Sequence, residues 1–198
     1  MMRAVIAEVR DPETGKILLR RSVGEDLLER YIMLKKQGDM GTNNLGRFLQ
    51  ALFTPKAKGA TLAVTLYDTS NTARSISITN YHTYSMFNNT NYADLPVRIK
   101  CGTSNTPPSK TDYNLKGTII GDTLASASWT DGRDSVDVVA SFSWTEDKTV
   151  YEMGLFMTMC YSTASPYTCE IMLDRTVFPD GITVPAGKTL ILIYRIVI

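Results

Sequence analysis

The chain has 198 residues, 43% of them hydrophobic and 21% charged, with 21 Lys+Arg against 20 Asp+Glu. That length buries a core without disulfides or metals to hold it, and the near-neutral balance excludes a polyanion-wrapping protein and a disordered chain. No apolar run reaches the roughly 18 to 20 residues of a spanning helix. Arg3 and Glu8 interrupt the N-terminus before a signal-peptide core forms, so neither membrane insertion nor export is expected.

In chain order, Arg3 to Arg10 and Lys16 to Arg21 are short apolar-rich runs. Between them lies Asp11-Pro12-Glu13-Thr14-Gly15, a Pro/Gly turn, so the stretch predicts a β-hairpin. Gly24-Glu25-Asp26 then opens a helix to about Gln37. Leu27, Leu28, Tyr31, Ile32 and Leu34 fall near one face, acids sit in the first turn and Lys35-Lys36 in the last, as the helix dipole favours. A second short helix is predicted after Thr42-Asn43-Asn44, from the spacing of Leu45, Phe48, Leu49 and Leu52, and Pro55 stops it.

From Ala60 onward the pattern is strand after strand: Thr61–Tyr67, Arg74–Thr79, Pro96–Cys101, Leu115–Ile120, Ser135–Trp144, Thr149–Cys160, Thr168–Leu173 and Thr189–Val197. Without interleaved helices this excludes a doubly wound α/β enzyme fold. The expectation is a mainly β protein: an antiparallel β-sandwich, jelly-roll-like by strand count, with an N-terminal hairpin and two short helices. Residues 1–59 read as a docking arm with an excess of Lys/Arg, and 60–198 as the sandwich, so a truncation beginning at Ala60 is expected to stay folded. The closing run Leu190 to Ile198 is almost continuously apolar and has to be covered on both faces, so it is expected inside the sandwich of its own subunit, with an inter-subunit edge as the alternative. Arg195 there is expected to reach water or a carboxylate.

Chemistry-bearing residues are scarce. His82 is the sole histidine, so a catalytic triad or histidine-rich metal site would have to run through it. The three cysteines form no C-x-x-C pair. Cys160 and Cys169 flank a loop across which they could bridge, although reduced, half-buried thiols are the expectation. Gly41 to Gly46 lacks the Lys-Ser/Thr of a phosphate loop. Asp131, Asp134 and Asp137 lack the terminal Glu of a calcium loop and read as a hairpin turn. Glu146, Asp147 and Glu152 are the nearest candidates for paired-carboxylate glycosidase chemistry, and solvated strand ends explain them better. No catalytic, cofactor-binding or metal-ligating set is therefore assigned. One polar-aromatic stretch, Asn80 to Tyr92, carries Tyr81, Tyr84, Phe87 and Tyr92 among asparagines and threonines. That composition suits a contact loop for sugar or protein.

Three stretches carry a family resemblance. Arg98-Ile99-Lys100-Cys101-Gly102-Thr103-Ser104 leads into Pro107-Pro108-Ser109-Lys110-Thr111-Asp112-Tyr113-Asn114-Leu115. Val150-Tyr151-Glu152-Met153-Gly154-Leu155-Phe156 follows, and Asp174-Arg175-Thr176-Val177-Phe178 with Ile182 to Leu190 closes the series. Their succession over roughly residues 97–198 resembles virion structural proteins of tailed phages and archaeal viruses. The resemblance implies a non-enzymatic viral structural protein (head decoration, turret, tail or baseplate component) that self-assembles and contacts other virion proteins. It further implies a homo-oligomer assembled in the host cytoplasm, without direct nucleic-acid contact. The alternative is a carbohydrate-binding adhesin or receptor-binding module at a virus tip, meeting a host-surface glycan.

Overall fold

A computed structural model of the chain describes residues 2–23, 39–41, 43–44, 47, 61–79, 97–129, 135–160 and 168–197. Their strands are β1 (Met2–Arg10), β2 (Ile17–Val23), β3 (Asp39–Gly41), β4 (Thr61–Tyr67), β5 (Ala73–Thr79), β6 (Val97–Gly102), β7 (Ile119–Leu124), β8 (Ser126–Trp129), β9 (Ser135–Ser143), β10 (Lys148–Cys160), β11 (Thr168–Val184) and β12 (Thr189–Val197). The protein is mainly β and its sheets are antiparallel. One five-stranded sheet runs β2-β1-β12-β9-β8, a second runs β3-β11-β10-β6-β7, and β4-β5 form a two-stranded ribbon. The helix expected over 24–37 lies outside the described residues, as does most of the second, of which positions 43, 44 and 47 have helical backbone.

A single apolar cluster takes side chains from both five-stranded sheets. Val5, Ala7 and Val9 of β1 and Leu190, Leu192 and Tyr194 of β12 meet Ile99, Met153, Leu155 and Val184 of the second sheet. These positions alternate along their strands, so each contributes one face. Farther along the same face of β10 and β11, Leu66 and Ile76 of the β4-β5 ribbon pack on Met157, Ile171 and Leu173. Their opposite face is covered too, where Leu115 packs on Phe156 and Met172. Double coverage explains why β10 and β11 read as nearly unbroken apolar runs.

Strand β12 lies between β1 and β9, paired with each over nine residues. The last strand therefore sits inside its own subunit's sheet. Arg195 reaches across to Asp137 on β9, with Nε and one Nη 2.7 and 2.8 Å from the two carboxylate oxygens. The same pairing embeds β1, whose Val5, Ile6, Ala7 and Val9 are buried. Residues 2–10 thus share the core of the strands beyond residue 60, where the sequence suggested an arm docking from outside. A start at Ala60 would remove an inner strand.

Two strand boundaries differ from expectation. The run Leu115–Thr118 is loop, because the amides of Lys116 and Gly117 donate to a buried side chain rather than to a neighbouring strand; β7 begins at Ile119. Strand β11 does not end at Leu173 but continues to Val184, carrying Asp174, Arg175 and Thr176 through the interior.

Candidate functional site

The segment 103–118 joins β6 to β7 without regular structure, and its shape comes from one buried ion network. Arg175 and Glu152 have fully buried side chains and that of Asp112 is 2% exposed. Neighbouring strands β10 and β11 hold the first two: Arg175 Nε donates to Glu152 Oε2 at 2.7 Å. Its Nη1 donates to Asp112 Oδ2 at 3.0 Å, and Nη2 to the Thr106 carbonyl at 3.0 Å. Glu152 also accepts backbone N–H groups from Ser104, Lys116 and Gly117, at 3.3, 3.1 and 2.7 Å. Asp112 accepts the Ser109 amide at 2.8 Å and an ion pair from Lys116 at 3.0 Å. Each charge is paired and hydrogen-bonded, the condition under which burial of ions is tolerated.

Two glycines make room for this arrangement. A Cβ on Gly102 would lie 2.7 Å from Glu152 Oε1, and one on Gly117 would collide with the Ser104 backbone nitrogen. Glycine at 102 leaves the strand backbone open to the Glu152 side chain.

Beside the network opens a half-enclosed cleft of about 290 Å³. Asp112 forms part of its wall, and Lys110, Tyr113, Tyr67, Arg47, Asn43 and Asn71 complete most of the lining. Asn44 fastens one side to the core: its side chain donates to the Tyr67 carbonyl at 2.7 Å and accepts the Tyr67 amide at 2.8 Å, as a strand neighbour would. The Asn43 amide donates to the Lys110 carbonyl at 2.8 Å, joining the other side. Asn71 takes a positive φ of 59°, a conformation asparagine tolerates. It ends a turn organised by buried Asp68, which accepts Ser70 N, Thr72 N and Arg74 Nε. Burial pushes the Asp68 carboxyl up, but the amide of Thr72, the guanidinium of Arg74 and the amide of Ser70 together hold it below its ordinary value.

The residues singled out from sequence fall in different places. Tyr81, Tyr84, Phe87 and Tyr92 lie outside the described residues, as do His82, Asp131 and Asp134. Asp137 is committed to Arg195. Of the glycosidase candidates, Glu146 is exposed and pairs with Lys148, which lowers its pKa, and Asp147 accepts the Ala186 amide. Glu152, expected at a solvated strand end, is instead fully buried beside Arg175. Cys101 is fully buried, and Cys169 is buried where a half-buried thiol was expected. Burial, followed by the nearby Asp122, pushes the Cys101 thiol up to about 12. Register places Cys169 opposite Met159 and Cys160 opposite Thr168, one step out of line for a cross-strand bridge.

Sequence reasoning did not find the cleft, whose walls come from segments about 70 residues apart. The isolated signal was Asn43-Asn44, read only as the start of a helix. Among the described residues no cluster of His, Cys, Asp and Glu has a metal-holding arrangement, and no helix is long and apolar enough to cross a membrane. Compared with protein-family models, with curated proteins and with solved structures, the chain has no match.

Proposed function

We propose that this chain is a non-enzymatic structural protein of a virus particle, of the kind found in tailed phages and archaeal viruses, which self-assembles and contacts other virion proteins. We read the two five-stranded sheets as the layers of a jelly-roll-like sandwich. The observation that carries self-assembly is where apolar side chains remain exposed. Among the described residues five large hydrophobic side chains are exposed: Tyr67 on the β4-β5 ribbon, and Ile17, Leu18, Ile119 and Leu124 on β2 and β7, which each end one of the five-stranded sheets. Outer strands with apolar side chains favour pairing with another chain. The viral kinship is supported by the way the three resembling stretches converge: Asp112, Glu152 and Arg175 come one from each and act as a single buried unit.

Sedimentation of the full chain tests the assembly, beside Leu18→Lys and Leu124→Lys, which place a charge on each outer strand. A concentration-dependent oligomer that either variant weakens is the expected result. A protein that stays monomeric at high concentration, and is missing from purified particles, would refute the proposal. The cleft favours a second reading, a carbohydrate-binding module at a virus tip. Asparagine amides and tyrosines converge there on a recess the size of a small ligand.

A further inference from the structure

The charges around the cleft do not balance. Among the described residues, and apart from the Asp68–Arg74 pair, its walls and the groups bonded to them hold four cations, Arg47, Lys110, Lys116 and Arg175, against two carboxylates, Asp112 and Glu152. Arg175 is occupied between the two carboxylates, and Lys116 closes on Asp112. Two cations are left at the rim. Arg47 donates Nη1 to the Thr65 carbonyl at 3.3 Å, and its guanidinium carbon lies 5.2 Å from the Tyr67 ring centroid. The ammonium of exposed Lys110 makes no hydrogen bond or ion pair among the described residues. A cleft backed by a buried ion network and rimmed by uncompensated cations is a site for a negatively charged group.

Size and lining narrow the class. About 290 Å³ is at the small end of ligand pockets, room for roughly one sugar ring. Exposed Asn43 and Asn71 each offer a donor and an acceptor for hydroxyl groups. One face of the Tyr67 ring is occupied by Arg47, and Lys116 lies 5.6 Å from the Tyr113 centroid. Charge and amides, more than stacking, therefore carry the recognition. We propose that the cleft binds a single carboxylate-bearing sugar unit of an acidic glycan, of the uronic or sialic acid type. Lys110 and Arg47 take the carboxylate, and Asn43 and Asn71 take ring hydroxyls. The inference goes beyond assembly and rests on the second reading above, that of a glycan-binding module.

Calorimetric titration of the full chain tests it. The probes are glucuronic acid, N-acetylneuraminic acid, glucose as the neutral counterpart, inorganic phosphate and a glutamate-rich peptide, each at low and high salt. Both acidic sugars should bind at least about tenfold more tightly than glucose, and more weakly as salt rises. Lys110→Gln, a change at an exposed position, should weaken them about tenfold, the loss of one charge-assisted contact. Equal binding of glucose and glucuronic acid, or acid binding unchanged in Lys110→Gln, overturns the acidic site while leaving a glycan-binding module standing. Phosphate or the peptide binding as tightly as the sugars overturns the sugar assignment in favour of a general anion or protein contact. No binding by any sugar at millimolar concentration overturns both.

Discussion

Replacing Arg175 by methionine removes the one cation held between two buried carboxylates. Methionine fills much of the volume, so the change is chiefly electrostatic. Breaking a buried ion pair by removing one partner costs about 3–5 kcal/mol, because the remaining charge stays desolvated. Here the loss should fall near ~3–4 kcal/mol. Glu152 keeps three backbone donors and Asp112 keeps Lys116 and the Ser109 amide, while the Thr106 carbonyl, freed of Arg175, turns to water. Against a total stability of about 5–15 kcal/mol, that is a large fraction, and at ~2–4 °C per kcal/mol the midpoint falls by about 6–16 °C. Urea unfolding followed by circular dichroism measures it, and limited proteolysis reports whether 103–118 opens first. Combining Arg175→Met with Glu152→Gln should cost less than the two single losses added together, by about 1–3 kcal/mol, since the stranded carboxylate is gone. A single-variant loss below about 1 kcal/mol, or strict additivity, would show that the network does not support the loop as argued.

Three further outcomes follow from the same geometry. Deleting Arg195 to Ile198, or beginning the chain at Ala60, removes pairing from inner strands β12 or β1 and should prevent soluble folding; a soluble product with native circular dichroism from either would contradict the sheet order. Gly121→Ala would place a Cβ 2.6 Å from Cys101 Sγ and 2.7 Å from a Phe142 ring carbon, and should cost about 1–3 kcal/mol in urea unfolding; a neutral result would mean the core relaxes there freely. Asp68 has a folded-state pKa below its ordinary value, so it contributes stability above its unfolded value near ~3.9, lost as pH falls through the folded value. Asp68→Asn should therefore be less stable than the parent at pH 7 and converge with it in acid, and parallel pH profiles would rule this out.

Local pattern and turn chemistry made much of the strand content legible. Strands β4 and β12 match their expected bounds, and β5, β9 and β10 match within one residue. In each, apolar residues and β-branching act within one segment, where neighbours along the chain dominate. Where a charged residue lies in the interior, that reading fails. The expected strand stopped at Leu173, before the polar Asp174-Arg175-Thr176, yet β11 carries these residues through the core.

What the sequence by itself determined was the mainly β class, most strand positions and an apolar last strand that had to be covered. Tertiary structure decided the rest: that β1 lies beside β12, that Glu152 is buried rather than solvated, and that Asn43, Tyr67 and Lys110 line one cleft. The physical reason is the range of the interactions. A strand's alternation is set by residues two apart, whereas the compensation of Arg175 by Asp112 spans 63 positions. No local window distinguishes a carboxylate that faces water from one that meets a guanidinium brought in by a distant strand.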